Sequence, residues 1–364
     1  MSTNEKKLYQ LIMTDQAMQA DILRASDEAG RLDAILQMGE IRGLPVSAEK
    51  IYAFLLHNSD RELSNAELEM VIGGKGNKNS DQTIKGDGGI GGFFADFGIG
   101  NYNDDLDGGG GNDSMWGFEG NDEVSGHGGN DLMYGGAGND SMDGGAGSDD
   151  MIGGTGNDSM DGGAGNDYMS GNEGNDIMDG GAGNDNMRGH EGNDTLAGGA
   201  GKDYMDGGEG NDSMSGGEGD DKMLGGWGDD SMDGGDGNDY MIGHSGNDSM
   251  TGGAGDDYMV AGYGSNTLDG GAGNDTLLAG NGTDYLTGGT GRDHFFFDLN
   301  DGHNVITDFG VEEDTLFMPG AERGDINVRV DADGTHITYG QTAIVLAGVD
   351  MTEDEVWAHV DTGH

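Results

Sequence analysis

Aspartate recurs every nine residues through the centre of this chain, at 104, 113, 122, 131 and onward to 293, with Asn266 as the one interruption. Each sits in the pattern Gly-Gly-x-Gly-x-Asp-x-U-x, in which U is a large apolar residue: Leu106, Met115, Val124, Met133 and Met142 near the start, Leu286 and Phe295 near the end. A carboxylate is a hard oxygen donor. Glycine supplies the positive φ and the close backbone approach of a tight turn, and leaves carbonyl oxygens unobstructed. Each turn therefore offers half a cage of hard oxygens. Two turns stacked at strand spacing complete it at about six oxygens, which is what Ca²⁺ takes.

The candidate ligands are the repeat aspartates Asp113, Asp122, Asp131, Asp140, Asp149, Asp158, Asp167, Asp176, Asp185, Asp194, Asp203, Asp212, Asp221, Asp230, Asp239, Asp248, Asp257, Asp275, Asp284 and Asp293. Asn266 departs from the pattern, and Asp104 follows the degenerate stretch Gly100-Asn101-Tyr102-Asn103. The upper bound is about one ion per repeat, or some twenty ions.

The elements that position these aspartates follow from the same register. The first six positions of the repeat read as a turn and the last three as a short strand with U pointing inward. If two nonapeptides make one coil, outward strand residues should alternate with period eighteen. One set of strand triplets runs Ser114-Met115-Trp116, Leu132-Met133-Tyr134, Tyr168-Met169-Ser170, Tyr204-Met205-Asp206, Tyr240-Met241-Ile242 and Tyr258-Met259-Val260. The other runs Ser141-Met142-Asp143, Ser159-Met160-Asp161, Ser231-Met232-Asp233 and Ser249-Met250-Thr251. Asn186-Met187-Arg188 and Ile177 are exceptions to this division. The fold expected is mainly β: a parallel β-roll, a two-sheet solenoid with 18 residues per coil. Roughly eleven coils at about 4.8 Å each would run near 50 Å. Trp116, Tyr134, Tyr168, Tyr204, Tyr240 and Tyr258 then mark an apolar outer face, read either as ordinary strand surface or as a contact face for self-association or a surface partner.

Composition agrees. Seventy acidic residues against 16 basic ones give a formal charge of -54, with 79 Gly, 2 Pro and no Cys. Such repulsion with 33% hydrophobic content predicts a metal-free chain that is expanded or disordered. It disfavours nucleic acid and anionic membranes as partners. Without cysteine there are no disulfides, thiolate metal sites or cysteine nucleophiles. No apolar run is long enough to span a bilayer, and a basic-then-apolar signal peptide is absent.

Residues 100–296 resemble the hemolysin-type RTX nonapeptide repeat of Gram-negative secreted proteins, on the strength of more than twenty near-perfect copies. The resemblance implies a calcium-loaded parallel β-roll, with ions held by the repeat aspartates and backbone carbonyls. It also implies a chain disordered at low Ca²⁺ and folded once outside the cell.

The flanks carry their own signals. In residues 1–74, Leu8, Leu11, Ile12, Leu32, Ile35 and Leu36 recur at helical spacing. The segment ends in Glu67-Leu68-Glu69-Met70-Val71-Ile72-Gly73-Gly74, which resembles a double-glycine leader of the nitrogen-fixation type. That resemblance implies a small helical leader domain, cleaved after Gly73 and Gly74 by an ABC-type exporter with a peptidase domain. A plain helix C-cap is the alternative reading of the two glycines. Residues 75–99 read as an irregular N-terminal lid on the roll. Residues 297–364 read as a C-terminal β-cap, with strand-like runs at Ile326–Val330, His336–Tyr339 and Ala343–Leu346. Gly324–Met351 is similar to the uncleaved C-terminal module of RTX proteins that use type I secretion.

The fifteen methionines at U positions read as core filling, since thioethers suit a narrow interior. His127, His190 and His244 read as solvated turn residues. Neither a His-Glu-x-x-His helix nor a Gly-x-Ser-x-Gly elbow is present. The functional expectation is a secreted, non-enzymatic calcium-binding protein of extracellular matrix, cell surface or adhesion. A leader-processed toxin or bacteriocin-like effector is the alternative.

Overall fold

The computed structural model describes residues 83–85, 103–311 and 313–363. The expected leader domain at 1–74, with Gly73 and Gly74, lies outside them, as does most of the expected lid. Within the lid, Thr83–Lys85 forms a strand that pairs parallel with Asp105–Asp107.

The repeat winds into a parallel solenoid of about twelve turns. Every repeat strand pairs with the strand eighteen residues away, in register: Ser141 with Ser159, Met142 with Met160, Asp143 with Asp161. The two sets of triplets therefore form two separate stacks. The U residues fill the space between them, and from Leu106 to Phe295 none is more than 3% exposed. Each buried methionine contributes about 1.5–3 kcal/mol of apolar transfer energy. Its flexible side chain suits an interior only two side chains deep.

The strands are longer than the repeat suggests. Pairing continues past the three strand positions into the first three of the next repeat, as in Ser213–Glu218 against Ser231–Asp236, where Gly217 meets Gly235 and Glu218 meets Asp236. Superimposed coils bring equivalent backbone together everywhere, and glycine lets it approach closely. At Gly201, with φ +147°, a Cβ would lie 1.4 Å from the Gly183 carbonyl oxygen.

Past residue 296 the solenoid gains further rungs with a broken period. Gly302–Ile306 pairs with the strand Asn281–Thr290 at an offset that sets Leu286 against Ile306. Thr315–Phe317 pairs with His294–Phe296, setting Phe295 against Leu316. An antiparallel meander, Ile326–Asp331, Gly334–Tyr339 and Thr342–Ala347, then covers the open end through Thr342–Ala347 on Gly302–Ile306. Capping an end strand in this way removes a template for aggregation. A short helix, α1 (Glu353–His359), starts at a capping box between Thr352 and Glu355 and buries Val356. It was not expected from sequence, because seven residues with one buried apolar side chain show no helical period. No helix among the described residues is long and apolar enough to cross a membrane.

Candidate metal centre

The repeat aspartates stand in two columns, one along each edge of the roll where a turn leads into a strand. One column runs Asp104, Asp122, Asp140 through Asp248, Asn266 and Asp284; the other runs Asp113, Asp131, Asp149 through Asp275 and Asp293. All are buried, at 0–4% exposure. Within a column, from Asp122 on, each Oδ1 accepts a hydrogen bond from the backbone N–H of the equivalent residue one coil earlier. Asp203 Oδ1 accepts from Asp185 N at 2.8 Å, and Asp221 Oδ1 from Asp203 N at 2.8 Å. One carboxylate oxygen is thus spent on holding the coils in register.

The other oxygen has no such use. Oδ2 is buried without a hydrogen-bond partner in every repeat aspartate from Asp131 to Asp257, and in Asp275 and Asp284. A buried carboxylate oxygen left unpaired costs several kcal/mol. What faces it is the first glycine of its own turn and a carbonyl from the next coil. A Cβ placed on Gly198 would lie 2.5 Å from Asp203 Oδ2 and 2.6 Å from the Gly216 carbonyl oxygen. At Gly234 the distances are 2.3 Å to Asp239 Oδ2 and 2.5 Å to the Gly252 oxygen. Glycine at this position keeps a gap into which a carboxylate oxygen and a carbonyl oxygen both project. Two hard oxygens with no donor between them fit a hard cation.

Protonation tells the same story. Burial pushes the carboxyls of Asp158, Asp167, Asp194, Asp221, Asp230 and Asp257 up to about 7. The backbone N–H on Oδ1 pulls against this, and the charges of column neighbours add to it. With no counter-ion, the turn favours a proton; a bound divalent cation would favour the carboxylate instead.

Sequence reasoning missed a second ladder. The residue before the repeat aspartate is usually asparagine, and its Oδ1 accepts from the backbone N–H of its counterpart one coil later. Asn139 N donates to Asn121 Oδ1 at 2.8 Å, and Asn211 N to Asn193 Oδ1 at 2.7 Å. The aspartate ladder points back along the roll and the asparagine ladder points forward, so most turns are pinned in both directions. The signal was present as asparagine at the same nine-residue period. His127, His190 and His244 each take a positive φ, from 67° to 79°, in the second glycine's place. Asp331, Asp333 and His336 cluster on the cap hairpin, where Asp331 pairs with His336 at 2.9 Å and with Arg329 at 2.5 Å.

The expected apolar face is less uniform than the sequence suggests. Trp116 is buried at 8% exposure and stacks on Tyr134 with ring centroids 5.9 Å apart, so it does not belong to an open face. Tyr134, Tyr168 and Tyr204 are half-buried, whereas Tyr240 and Tyr258 are exposed and stack at 5.2 Å. Lys222 lies between Tyr204 and Tyr240, 5.3 and 5.7 Å from their ring centres. The aromatic residues partly satisfy one another along the strand stack, which lowers the apolar area left to a partner.

No curated protein matches the chain. Among solved structures, the extracellular lipase LipA from Serratia marcescens is similar at 18% identity and a TM-score of 0.23, over 59% of this chain and 40% of that one. This chain therefore spans less than half the length of that lipase. The sequence profile of the RTX calcium-binding nonapeptide repeat matches in overlapping segments from 99–133 to 260–295, which together cover more than half of the residues. With its register of glycine turns and buried aspartates, the chain belongs to the RTX calcium-binding nonapeptide repeat family.

Proposed function

We propose that this chain is a secreted, non-enzymatic calcium-binding protein that folds when Ca²⁺ enters its turns outside the cell and acts in extracellular matrix, surface attachment or adhesion. The observation that carries this is the two columns of buried, unpartnered Oδ2 atoms from Asp131 on, most of them beside a backbone carbonyl of the next coil. The repeat aspartates from Asp113 to Asp293 would hold the ions, at no more than about one per repeat. When bound, calcium would supply the positive charge that keeps those carboxylates ionised in the fold. At low Ca²⁺ inside the cell, the same carboxylates oppose winding, so the chain passes an exporter unfolded. Gly73 and Gly74 are the proposed leader boundary for an ABC-type exporter with a peptidase domain, and Gly324–Met351 is the proposed type I secretion module.

Far-UV circular dichroism of purified protein in calcium and in chelator tests the first part. The β signal should collapse on chelation, and a spectrum indifferent to calcium would sink the reading. Mass measurement of exported protein tests the leader: the expected N-terminus is Lys75, and an intact Met1 or Ser2 start refutes cleavage. The double-glycine boundary also favours a second reading, a leader-processed effector. Killing of neighbouring cells by protein starting at Lys75 would establish it against the matrix or adhesion role.

A further inference from the structure

The two aspartate columns differ near the cap, and the difference is chemical. In the column through Asp122, the residue at 266 is asparagine. Its Oδ1 accepts from Asp248 N at 2.8 Å, as the Oδ1 of each repeat aspartate from Asp122 on accepts from the residue one coil earlier. Its Nδ2 donates to Asp284 Oδ1 at 3.1 Å, and its backbone N donates to that same oxygen at 2.9 Å. The pattern fixes which way the amide points. Reversed, an amino group would face the Asp248 N–H and an oxygen would face a carboxylate oxygen. A donor therefore stands where the other turns leave an unpartnered acceptor, and Asn266 is fully buried.

A second substitution agrees. The first position of the turn is glycine from Gly108 to Gly252, but Ala261 occupies it in the Asn266 turn and Ala279 in the next coil. Both alanines are fully buried. Elsewhere on this column, a Cβ here would come within 2.4 Å of the aspartate Oδ2 at Gly225 and 2.3 Å at Gly243. The Ala261 methyl thus stands on the side of the Asn266 turn that glycine otherwise keeps open, and the Ala279 methyl holds the same place in the Asp284 turn. The opposite column keeps aspartate at the corresponding levels, Asp257 and Asp275, with glycine at Gly252 and Gly270.

We infer that the turn at Asn266 takes no cation: an amide hydrogen bond to Asp284 and the methyl group of Ala261 close it in place of calcium, so the two edges of the roll load unequally. This rests on the calcium reading of the other turns, and the test separates the two. Crystals of the full chain grown in calcium, measured for anomalous scattering, should show peaks beside Asp212, Asp230, Asp257 and Asp275 and none within about 2.6 Å of the Asn266 side chain. A peak on Asn266 overturns this inference and leaves the calcium reading intact; no peak at any repeat aspartate overturns both. Native mass spectrometry of the variant Ala261→Gly, Asn266→Asp should count one ion more than the parent chain. A variant that folds in calcium with an unchanged count overturns the inference. If the variant does not fold, the diffraction result on the parent chain decides.

Discussion

At the scale of the residue, the first glycine of the turn and the aspartate five residues later are one device. Conformation does not require the glycine. Gly198 has no positive φ, in contrast to Gly199 at 97° and Gly201 at 147°, so alanine could adopt its backbone without strain. What a side chain there would crowd is oxygen: Asp203 Oδ2 at 2.5 Å and the Gly216 carbonyl at 2.6 Å. Two substitutions separate the parts. Asp203→Asn keeps an Oδ1 to accept from Asp185 N but replaces the unpartnered oxygen with a donor. Gly198→Ala keeps the carboxylate and fills the gap beside it. Both should lose one ion by native mass spectrometry and weaken calcium binding at that turn by about tenfold to a hundredfold, the loss of about 1.5–3 kcal/mol expected for one charged ligand contact. Both should keep the roll's β spectrum at saturating calcium, because the coils above and below remain filled. Full ion count in Gly198→Ala would show that the gap is not where the cation sits.

At the scale of the element, one turn stacked on the next sets how the roll answers pH. Burial raises the folded-state pKa of Asp158, Asp194 and Asp230 from 3.8 to about 7. Between those values the metal-free folded turn binds more protons than the unfolded chain, so stability falls as pH rises across that window. The contribution is fully present below about pH 4 and lost as pH passes 7. In chelator, then, the β signal should be stronger at pH 4 than at pH 8, whereas calcium affinity should fall on acidification because protons compete for the same oxygens. A metal-free spectrum that strengthens with rising pH would contradict this arrangement. Much of this element was legible in sequence. The nine-residue period places the aspartates and U residues, and the eighteen-residue alternation of Ser141, Ser159 and Ser231 with Tyr204, Tyr240 and Tyr258 separates the two sheets. What stayed hidden lies where pattern and pairing part company. Asn304 and Asp314 continue the two columns, accepting from Asp284 N at 3.3 Å and Asp293 N at 3.0 Å. They stand twenty and twenty-one residues on, though, so a count by nines passes over them. Pairing through the glycine positions was hidden because glycine reads as turn, and the burial of Trp116 because its outward strand position predicts exposure.

At the scale of the whole molecule, the charge of -54 allows two accounts of why the roll should need calcium. In one, the ions neutralise: some twenty of them bring about +40, and any cation atmosphere that relieves the repulsion would serve. In the other, the ions are ligands, and the deficit is local to each buried Oδ2. Salt separates the two, because in about 1 M NaCl the screening length falls to about 3 Å. Carboxylates on adjacent coils, about 4.8 Å apart, would then repel one another weakly. The unpartnered oxygens of Asp131 to Asp257 are buried away from solvent, so a diffuse atmosphere leaves them without a partner. In chelator, high NaCl should therefore contract the chain, seen as a smaller radius of gyration by X-ray scattering, without restoring the β spectrum. Millimolar CaCl₂ should do both. Mg²⁺ should be the poorer substitute, since it demands near-octahedral geometry at about 2.0–2.1 Å and gives up water reluctantly, whereas the turn offers fixed oxygens from stacked backbone. If high NaCl alone rebuilt the full β signal, neutralisation would suffice and the turns would not be cages. The orphaned oxygens argue for the ligand account: nearly every turn spends a glycine and an aspartate on a gap that a screened charge would not need.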